Sequence, residues 1–281
     1  MTAVLLALGA AVAYGLSDFV GGVSSKRASA WSVALVAQLV GGVVVLALTT
    51  VVGGSPTGTD LAWAVVAGVA NGIGTGFLYR GLATGRMGIV APVSGVGAAL
   101  VPVAVGLVTG ERPSALVWFG ILAALPGIWL VARNPEPEDV TGDRPRGSGA
   151  VDGVLAGLGF GSLFAALAQI PESAGFLPLA LNQLVAAAII VTMALTLRVG
   201  WFPRERAAGF GAISGVLGAT ATAAFLLASQ SGLLTVTAVL ASLYPAFTVL
   251  LAATILREHI HRSQAAGLVL CGVAVGLVAG G

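Results

Sequence analysis

The feature that most constrains this chain is a series of long apolar stretches along nearly all of its 281 residues. A helix needs about 20 mostly apolar residues to cross about 30 Å of hydrocarbon. The stretches are too long, and alternate too little, for the strands of a membrane barrel. Approximate ranges are 3–22, 31–52, 61–79, 87–109, 114–132, 153–170, 176–197, 207–229, 233–256 and 263–280. We therefore expect an all-α integral membrane protein with ten transmembrane helices.

The composition excludes an ordinary soluble domain and several classes of partner. Only 9% of the residues are charged, whereas soluble domains carry about 25%. A formal net charge of +2 is too small for a nucleic-acid surface. The single cysteine, Cys271, excludes an internal disulfide and a cysteine-based metal cluster, and no GxxxxGK[ST] phosphate loop occurs. We expect no metal, no cofactor and no nucleic acid, with the lipid bilayer as the surroundings.

One polar segment, RNPEPEDVTGDRPRGSGA at residues 133–150, interrupts the apolar pattern. Its prolines, glycines and charges predict a flexible linker. It separates a first unit, 1–132, from a second unit, 151–281, and each holds five apolar stretches. Two units of nearly equal length suggest an internal repeat.

Sequence matches between the two units support this repeat. A shift of 147 residues places Glu111 on Glu258 and Gly120 on Gly267. A shift of 145 residues aligns AQLV at 37–40 with NQLV at 182–185, and Ser17 with Ser162. Apolar sequences match easily by chance, so an independent test is needed.

The distribution of basic residues provides that test. Five helices per unit give the two units opposite orientations, and cytoplasmic loops collect Lys and Arg. Of the 13 basic residues, all except Arg112 fall in loops that would share one side, the linker included. This pattern favours two inverted five-helix repeats. It places the linker in the cytoplasm of a plasma-membrane protein and both termini on the other side.

Several motifs carry a family resemblance. They are YGLSDF in the first stretch, YRGLATGRMGIVAPVSG across the third and fourth, and a repeated unit in which two helices flank GER or REH. Together they resemble the EamA-type members of the drug/metabolite transporter superfamily. The chain departs from that pattern at Tyr14–Gly15, where Trp–Gly is usual, and at Ala98, which stands where the second unit has Pro245. The resemblance implies export or import of small metabolites by alternating access.

Asp18 is the most distinctive candidate site residue, because it is the only formally charged residue inside the stretches as drawn. A charge within a membrane usually marks a substrate pathway, a proton relay or a counter-ion. Helical spacing places Asp18 with Tyr14, Ala7 and Ala11 on a face of small and polar residues, opposite Leu5 and Val12. We expect Asp18 to bind substrate or couple a proton. The alternative, left open, is that it lies near the cytoplasmic end and pairs with Lys26, Arg27 or a helix terminus.

Other polar residues form stripes that predict the wall of a cavity. Asn71, Thr75 and Tyr79 recur at four-residue spacing, opposite a ridge of Gly68, Gly72 and Gly76 that predicts close helix packing. A comparable stripe holds Thr237 and Tyr244, and Ser94 is the contribution of the fourth stretch. Helix kinks are expected at Pro92, Pro102 and Pro245. None of these residues is expected to be catalytic.

These observations favour a secondary or facilitative transporter that binds a small-molecule substrate, an amino acid or similar metabolite, and exports it. Efflux of organic cations or drugs by the same mechanism is an alternative. A membrane-embedded enzyme is disfavoured, because its site would need a cluster of His, Asp, Glu or Cys within the apolar stretches. A structural subunit is a further alternative. Whether a proton is coupled, and whether the protein is a monomer or a homodimer, is left open.

Overall fold

The structure, a computed structural model, describes residues 1–83, 87–132, 148–255 and 260–281. Within those ranges it contains helices and loops and no strand. The helices are α1 Thr2–Ser25, α2 Ala30–Thr49, α3 Gly58–Ala83, α4 Met87–Val108, α5 Ala115–Ala132, α6 Ser148–Leu167, α7 Leu177–Thr196, α8 Gly211–Ser231, α9 Leu234–Ala241, α10 Tyr244–Ile255 and α11 Arg262–Gly280. Short 3₁₀ turns at Glu172–Ala174 and Arg206–Phe210 precede α7 and α8. The expected all-helical class is confirmed.

The number of membrane crossings is confirmed only in part. In the described ranges, seven helical segments have the length and apolar character to cross a membrane, with α9 and α10 counted as one segment. Three shorter apolar helices cover Val93–Val108, Ala115–Val131 and Val151–Leu167. The chain is therefore a multi-pass membrane protein, and the total of ten crossings stays a prediction.

The ninth apolar stretch is broken into two helices rather than kinked. Ser242 and Leu243 separate α9 from α10, and the Leu243 N–H bonds the Leu240 carbonyl, three residues back, at 3.2 Å. Pro245 follows directly; it has no N–H to donate, and its ring crowds the carbonyl four residues earlier. Next to Pro245, where a kink is predicted, one helix ends at Ala241 and another begins at Tyr244.

The fourth stretch behaves differently. Helix α4 is assigned without interruption from Met87 to Val108, a range that includes both Pro92 and Pro102. Ala98 occupies the position that corresponds to Pro245 of the second unit. Unlike proline, alanine has a backbone N–H group that can donate a hydrogen bond. The expected kinks at Pro92 and Pro102 stay predictions, and the helix does not break at either.

Helix α6 begins earlier than the sequence pattern indicated. It starts at Ser148, inside the segment that we expected to be linker; residues 133–147 lie outside the described ranges. Asp152 is therefore a buried helical residue, 4% exposed. Asp18 is the only charged residue inside the apolar stretches as drawn, but α3 and α6 extend beyond those stretches and also contain Asp60, Arg80 and Asp152.

Helices cross at glycines, as the ridge on α3 predicted. A Cβ atom at Gly68 would lie 2.7 Å from the Asn182 carbonyl oxygen, and one at Gly72 would lie 2.8 Å from the Ala186 carbonyl oxygen. At Gly76 it would lie 2.9 Å from the Trp31 ring. These spacings leave no room for a side chain, so α3 packs directly on α7 and α2.

The main neighbours of most helices lie in the other half of the chain. Helix α3 packs between α6 and α7, α1 packs on α8 and α10, α2 packs on α7 and α8, α4 packs on α6, and α5 packs on α11. The core is therefore built between the halves rather than inside each of them.

Contacts between the halves are reciprocal at positions that the sequence shifts relate. A Cβ atom added at Gly120 would lie 3.1 Å from the Ala274 carbonyl oxygen, and one added at Gly267 would lie 2.8 Å from the Gly127 carbonyl oxygen. A shift of 147 positions relates Gly120 to Gly267 and Gly127 to Ala274, so the two contacts correspond residue by residue. A two-fold relation between the halves produces such pairs.

The two faces of α1 are as predicted. Ala7 and Ala11 are completely buried, whereas Leu5 and Val12 are 65% and 38% exposed. The small face packs against the other helices, and the large apolar face is left for lipid.

Candidate functional site: a cavity between the halves

A cavity lies between the two halves of the chain. Helices α1, α2 and α3 form one side of it, and helices α6, α7, α8 and α10 form the other. Its lining residues are Tyr14, Ser17, Asp18, Ala37, Gln38, Asn71, Thr75, Tyr79, Phe160, Phe164, Gln183, Ser214, Gly215, Gly218, Ala219, Thr222 and Tyr244. A concave space with apolar walls and a few converging polar groups is typical of a small-molecule site.

Asp18 is the one carboxylate in this lining, which holds no Lys, Arg or His. In the described part of the chain, its side chain makes no ion pair and accepts no hydrogen bond. The alternative that Asp18 pairs with Lys26 or Arg27 is therefore wrong. A carboxylate removed from bulk water needs a compensating partner, and here the open side of that carboxylate is the cavity.

Each of the three tyrosine hydroxyl groups in the lining is bonded to another hydroxyl group. Tyr14 donates to the Thr222 Oγ1 at 3.1 Å. The Tyr79 oxygen lies 2.6 Å from the Ser214 Oγ, and the Tyr244 oxygen lies 3.1 Å from the Ser94 Oγ. Each pair joins one half of the chain to the other, so these bonds fix the tyrosine rings around the cavity.

Ser17 strengthens the junction between α1 and α8. Its Oγ donates to the Ser214 carbonyl oxygen at 2.9 Å, and the Ser214 Oγ donates to the Ser17 carbonyl oxygen at 2.7 Å. This reciprocal pair lies directly beside Asp18 on α1.

A cluster of amides forms the opposite part of the wall. The Gln38 Nε2 donates to the Asn71 Oδ1 at 3.3 Å and to the Thr75 Oγ1 at 3.1 Å. The Asn71 Nδ2 donates to the Gln183 Oε1 at 3.1 Å and to the Asn182 Oδ1 at 3.4 Å. Gln38 and Gln183, which the repeat aligns, thus both meet at Asn71. The cluster ties α2, α3 and α7 together and keeps most of its own polar atoms satisfied.

Aromatic rings make up the apolar part of the wall. The ring of Tyr14 lies 5.7 Å from that of Phe164 and 6.4 Å from that of Tyr244, measured between centroids. Phe164 stacks on Phe225 at 4.2 Å, which holds it in place. Tilted and edge-on pairs at these distances are favourable aromatic arrangements.

The structure brings most of the predicted site residues together. Those that line the cavity are Tyr14, Asp18, Asn71, Thr75, Tyr79 and Tyr244. Ser94 lies behind the wall, against the hydroxyl of Tyr244. Thr237 lies outside the lining, and its Oγ1 bonds the Leu233 carbonyl oxygen of its own segment at 3.0 Å. The sequence pattern missed Ser214 and Thr222 of α8.

Two carboxylates outside the cavity have structural partners. Asp152 of α6 accepts a bidentate hydrogen bond from Arg80 of α3. Glu111, in the α4–α5 loop, accepts hydrogen bonds from the N–H groups of Leu234 and Thr235 at 2.5 and 2.9 Å. Glu111 therefore caps the first turn of α9, where a negative charge is stabilised by the helix dipole. In the described ranges no three His, Cys, Asp or Glu side chains come together as a metal site would require.

Comparison with known proteins agrees with this architecture. None of the curated proteins compared matches the chain. A solved structure, described only as the crystal structure of a protein, superposes with a TM-score of 0.71 over 98% of this chain and 95% of that one, at 16% sequence identity; this likeness concerns the fold alone. The sequence model of the EamA-like transporter family matches twice, at residues 1–133 and 147–280. Two matches that cover both halves show that the chain belongs to the EamA-like transporter family, and hence to the membrane transporters of small molecules.

Proposed function

We propose that this protein is a secondary or facilitative transporter that exports a small metabolite, an amino acid or a similar molecule, across the plasma membrane. The observation that carries the proposal is the cavity between the halves, which both halves line and in which the Asp18 carboxylate has no partner. In transporters built from inverted repeats, substrate sites lie between the repeats.

Alternating access is the proposed mechanism. Residues 1–132 and 151–281 form the two repeats, and one rocks against the other to expose the cavity to each side in turn. The reciprocal contacts at Gly120 and Gly267 support this, because a two-fold relation lets the same motion open either end. The break between α9 and α10 supplies a point at which part of the wall can bend.

Counterflow tests the transport function. Purified protein in liposomes is loaded with an unlabelled candidate, and uptake of the labelled molecule is followed against protein-free liposomes. We expect accumulation with at least one amino acid or related metabolite, and much slower accumulation with the Asp18→Asn variant. The proposal fails if molecules that stabilise the purified protein are never exchanged.

The distribution of Lys and Arg supports an orientation with both termini outside the cytoplasm. A reporter that is active only in the cytoplasm should be silent when fused after Gly281 and active when inserted in the segment 133–147. A strong signal from the C-terminal fusion would contradict the orientation.

A further inference from the structure

The ionisable side chains that line the cavity are not balanced between acidic and basic groups. This imbalance indicates which class of molecule the proposed transport site binds. Asp18 supplies a carboxylate, and no Lys, Arg or His lines the space in the described part of the chain. A small-molecule ligand that enters this cavity therefore meets one carboxylate and no cation of the protein. A ligand with a positive charge completes the pair that the protein leaves open.

The tyrosines do not complete it. Their hydroxyl groups are already engaged with Thr222, Ser214 and Ser94. The rings are therefore the main part of the tyrosines that can contact a ligand, and those hydrogen bonds hold the rings in fixed positions.

The rings add a second attraction for the same kind of ligand. Tyr14, Phe164 and Tyr244 lie with centroids 5.7 and 6.4 Å apart, and Tyr14 is one helical turn before Asp18. The negative face of an aromatic ring attracts a cation within about 6 Å of its centroid. Rings and carboxylate together recognise an apolar group that carries a positive charge.

We propose that the cavity selects a small organic ammonium compound, with the protonated nitrogen on Asp18 and the carbon skeleton against Tyr14, Phe164 and Tyr244. This rests on the proposed function for its biological meaning, since it names the class of molecule that the transport site takes.

Matched pairs of probes test the proposal on the full chain purified in detergent. The ammonium probes are 2-phenylethylammonium, cyclohexylammonium and butylammonium, and each is paired with the alcohol of the same skeleton. Binding is measured by calorimetry and by the rise in Tm at a fixed neutral pH. We expect at least one ammonium probe to bind at least about tenfold more tightly than its alcohol.

Variants link any such binding to the cavity. Asp18→Asn keeps the shape of the side chain and removes its charge, so it should weaken ammonium binding at least about tenfold and leave alcohol binding unchanged. Asp18→Glu keeps the charge and should retain binding. Glu172→Gln is the matched control, because it removes an exposed carboxylate in the turn before α7, away from the cavity, and should change nothing.

The outcomes separate this proposal from the transport proposal. Equal binding of ammonium and alcohol probes, failure of all three ammonium probes, or full binding by a folded Asp18→Asn variant would overturn the ammonium site. Exchange only of molecules that lack an ammonium group would overturn it while leaving transport intact. Charge-dependent binding without counterflow of any bound probe would support the ammonium site and count against transport.

Discussion

Helices α1 and α6 correspond in the proposed repeat, and each carries one aspartate, but only one of the two is paired. Asp152 of α6 is held by the guanidinium of Arg80, whereas Asp18 of α1 faces the cavity without a partner. Where α1 presents Tyr14, Ser17 and Asp18 to the cavity, α6 presents two phenylalanines. The fold is close to symmetric between the halves, and the chemistry of the site is not.

The contrast separates two uses of a buried charge. A carboxylate with a partner inside the protein stabilises the packing around it, so the loss of its charge should lower the stability of the protein. A carboxylate without such a partner weakens the packing, and the loss of its charge should be felt in binding. The following predictions would break or sharpen this distinction.

The largest expected effect is that of Asp18→Asn on transport. Loss of a charge that pairs with substrate costs about 2 kcal/mol or more, which is roughly a 30-fold loss in the counterflow rate. The Tm should stay the same or rise, because a buried unpaired charge is removed. Ser162→Ala, at the position of α6 that aligns with Ser17, is the control and should transport normally. A drop in Tm that matches the loss of transport would mean that Asp18 is structural.

The next effect is that of Gly159→Ala on stability. A Cβ atom there would lie 2.6 Å from the nitrogen and 2.7 Å from the Cα of Gly74, and backbone atoms cannot move aside. Overpacking of this kind costs about 1–3 kcal/mol, to be seen as a lower Tm in detergent. Gly9→Ala on α1 is the control, because nothing lies within 4 Å of its Cβ position. Equal Tm values for the two variants would contradict the close contact of α6 with α3.

Asp152→Asn should lower stability rather than transport. The substitution removes a charged acceptor of Arg80, whose side chain is 32% exposed and can be partly solvated instead, so we expect a cost of about 1–2 kcal/mol. The Tm should fall more in low salt than in high salt, and counterflow per folded molecule should be preserved. Transport losses as large as those of Asp18→Asn would erase the distinction between the two aspartates.

The smallest effect is expected for Tyr14→Phe. It removes the hydrogen bond to Thr222 at a cost of about 1 kcal/mol, while the ring beside Phe164 remains. The Tm should fall slightly and ammonium binding should persist, whereas Tyr14→Ala should lose both. If Tyr14→Phe abolished binding, the hydroxyl group rather than the ring would be the recognition element.

The sequence pattern predicted part of the site correctly for physical reasons. Four-residue spacing keeps Asn71, Thr75 and Tyr79 on one face of a continuous helix, so their common orientation could be read directly. The stripe that pairs Thr237 with Tyr244 also assumes a continuous helix. That assumption fails because the helix breaks between them at Ser242 and Leu243.

Other features could not be read from local pattern. Asp152 falls between the predicted linker, which ends at residue 150, and the apolar stretch that begins at residue 153. Helix α6 nevertheless includes it, and its charge is compensated by Arg80, which is distant in sequence. Ser214 and Thr222 stand among the many small residues of α8, and nothing local distinguishes them from residues that only pack. Their role depends on tyrosines brought in from α1 and α3.

The packing of helices from one half against helices of the other gives the predicted linker a role beyond connecting the two halves. Because most helices find their main partners in the other half, the molecule resembles a heterodimer whose two subunits are carried on one polypeptide. A tether between such subunits fixes their ratio at one to one and raises their effective concentration, without adding a contact of its own. It also favours pairing of each half with its complement over pairing with a copy of itself, and so preserves a cavity that, in the described part of the chain, is lined by one carboxylate from one half only.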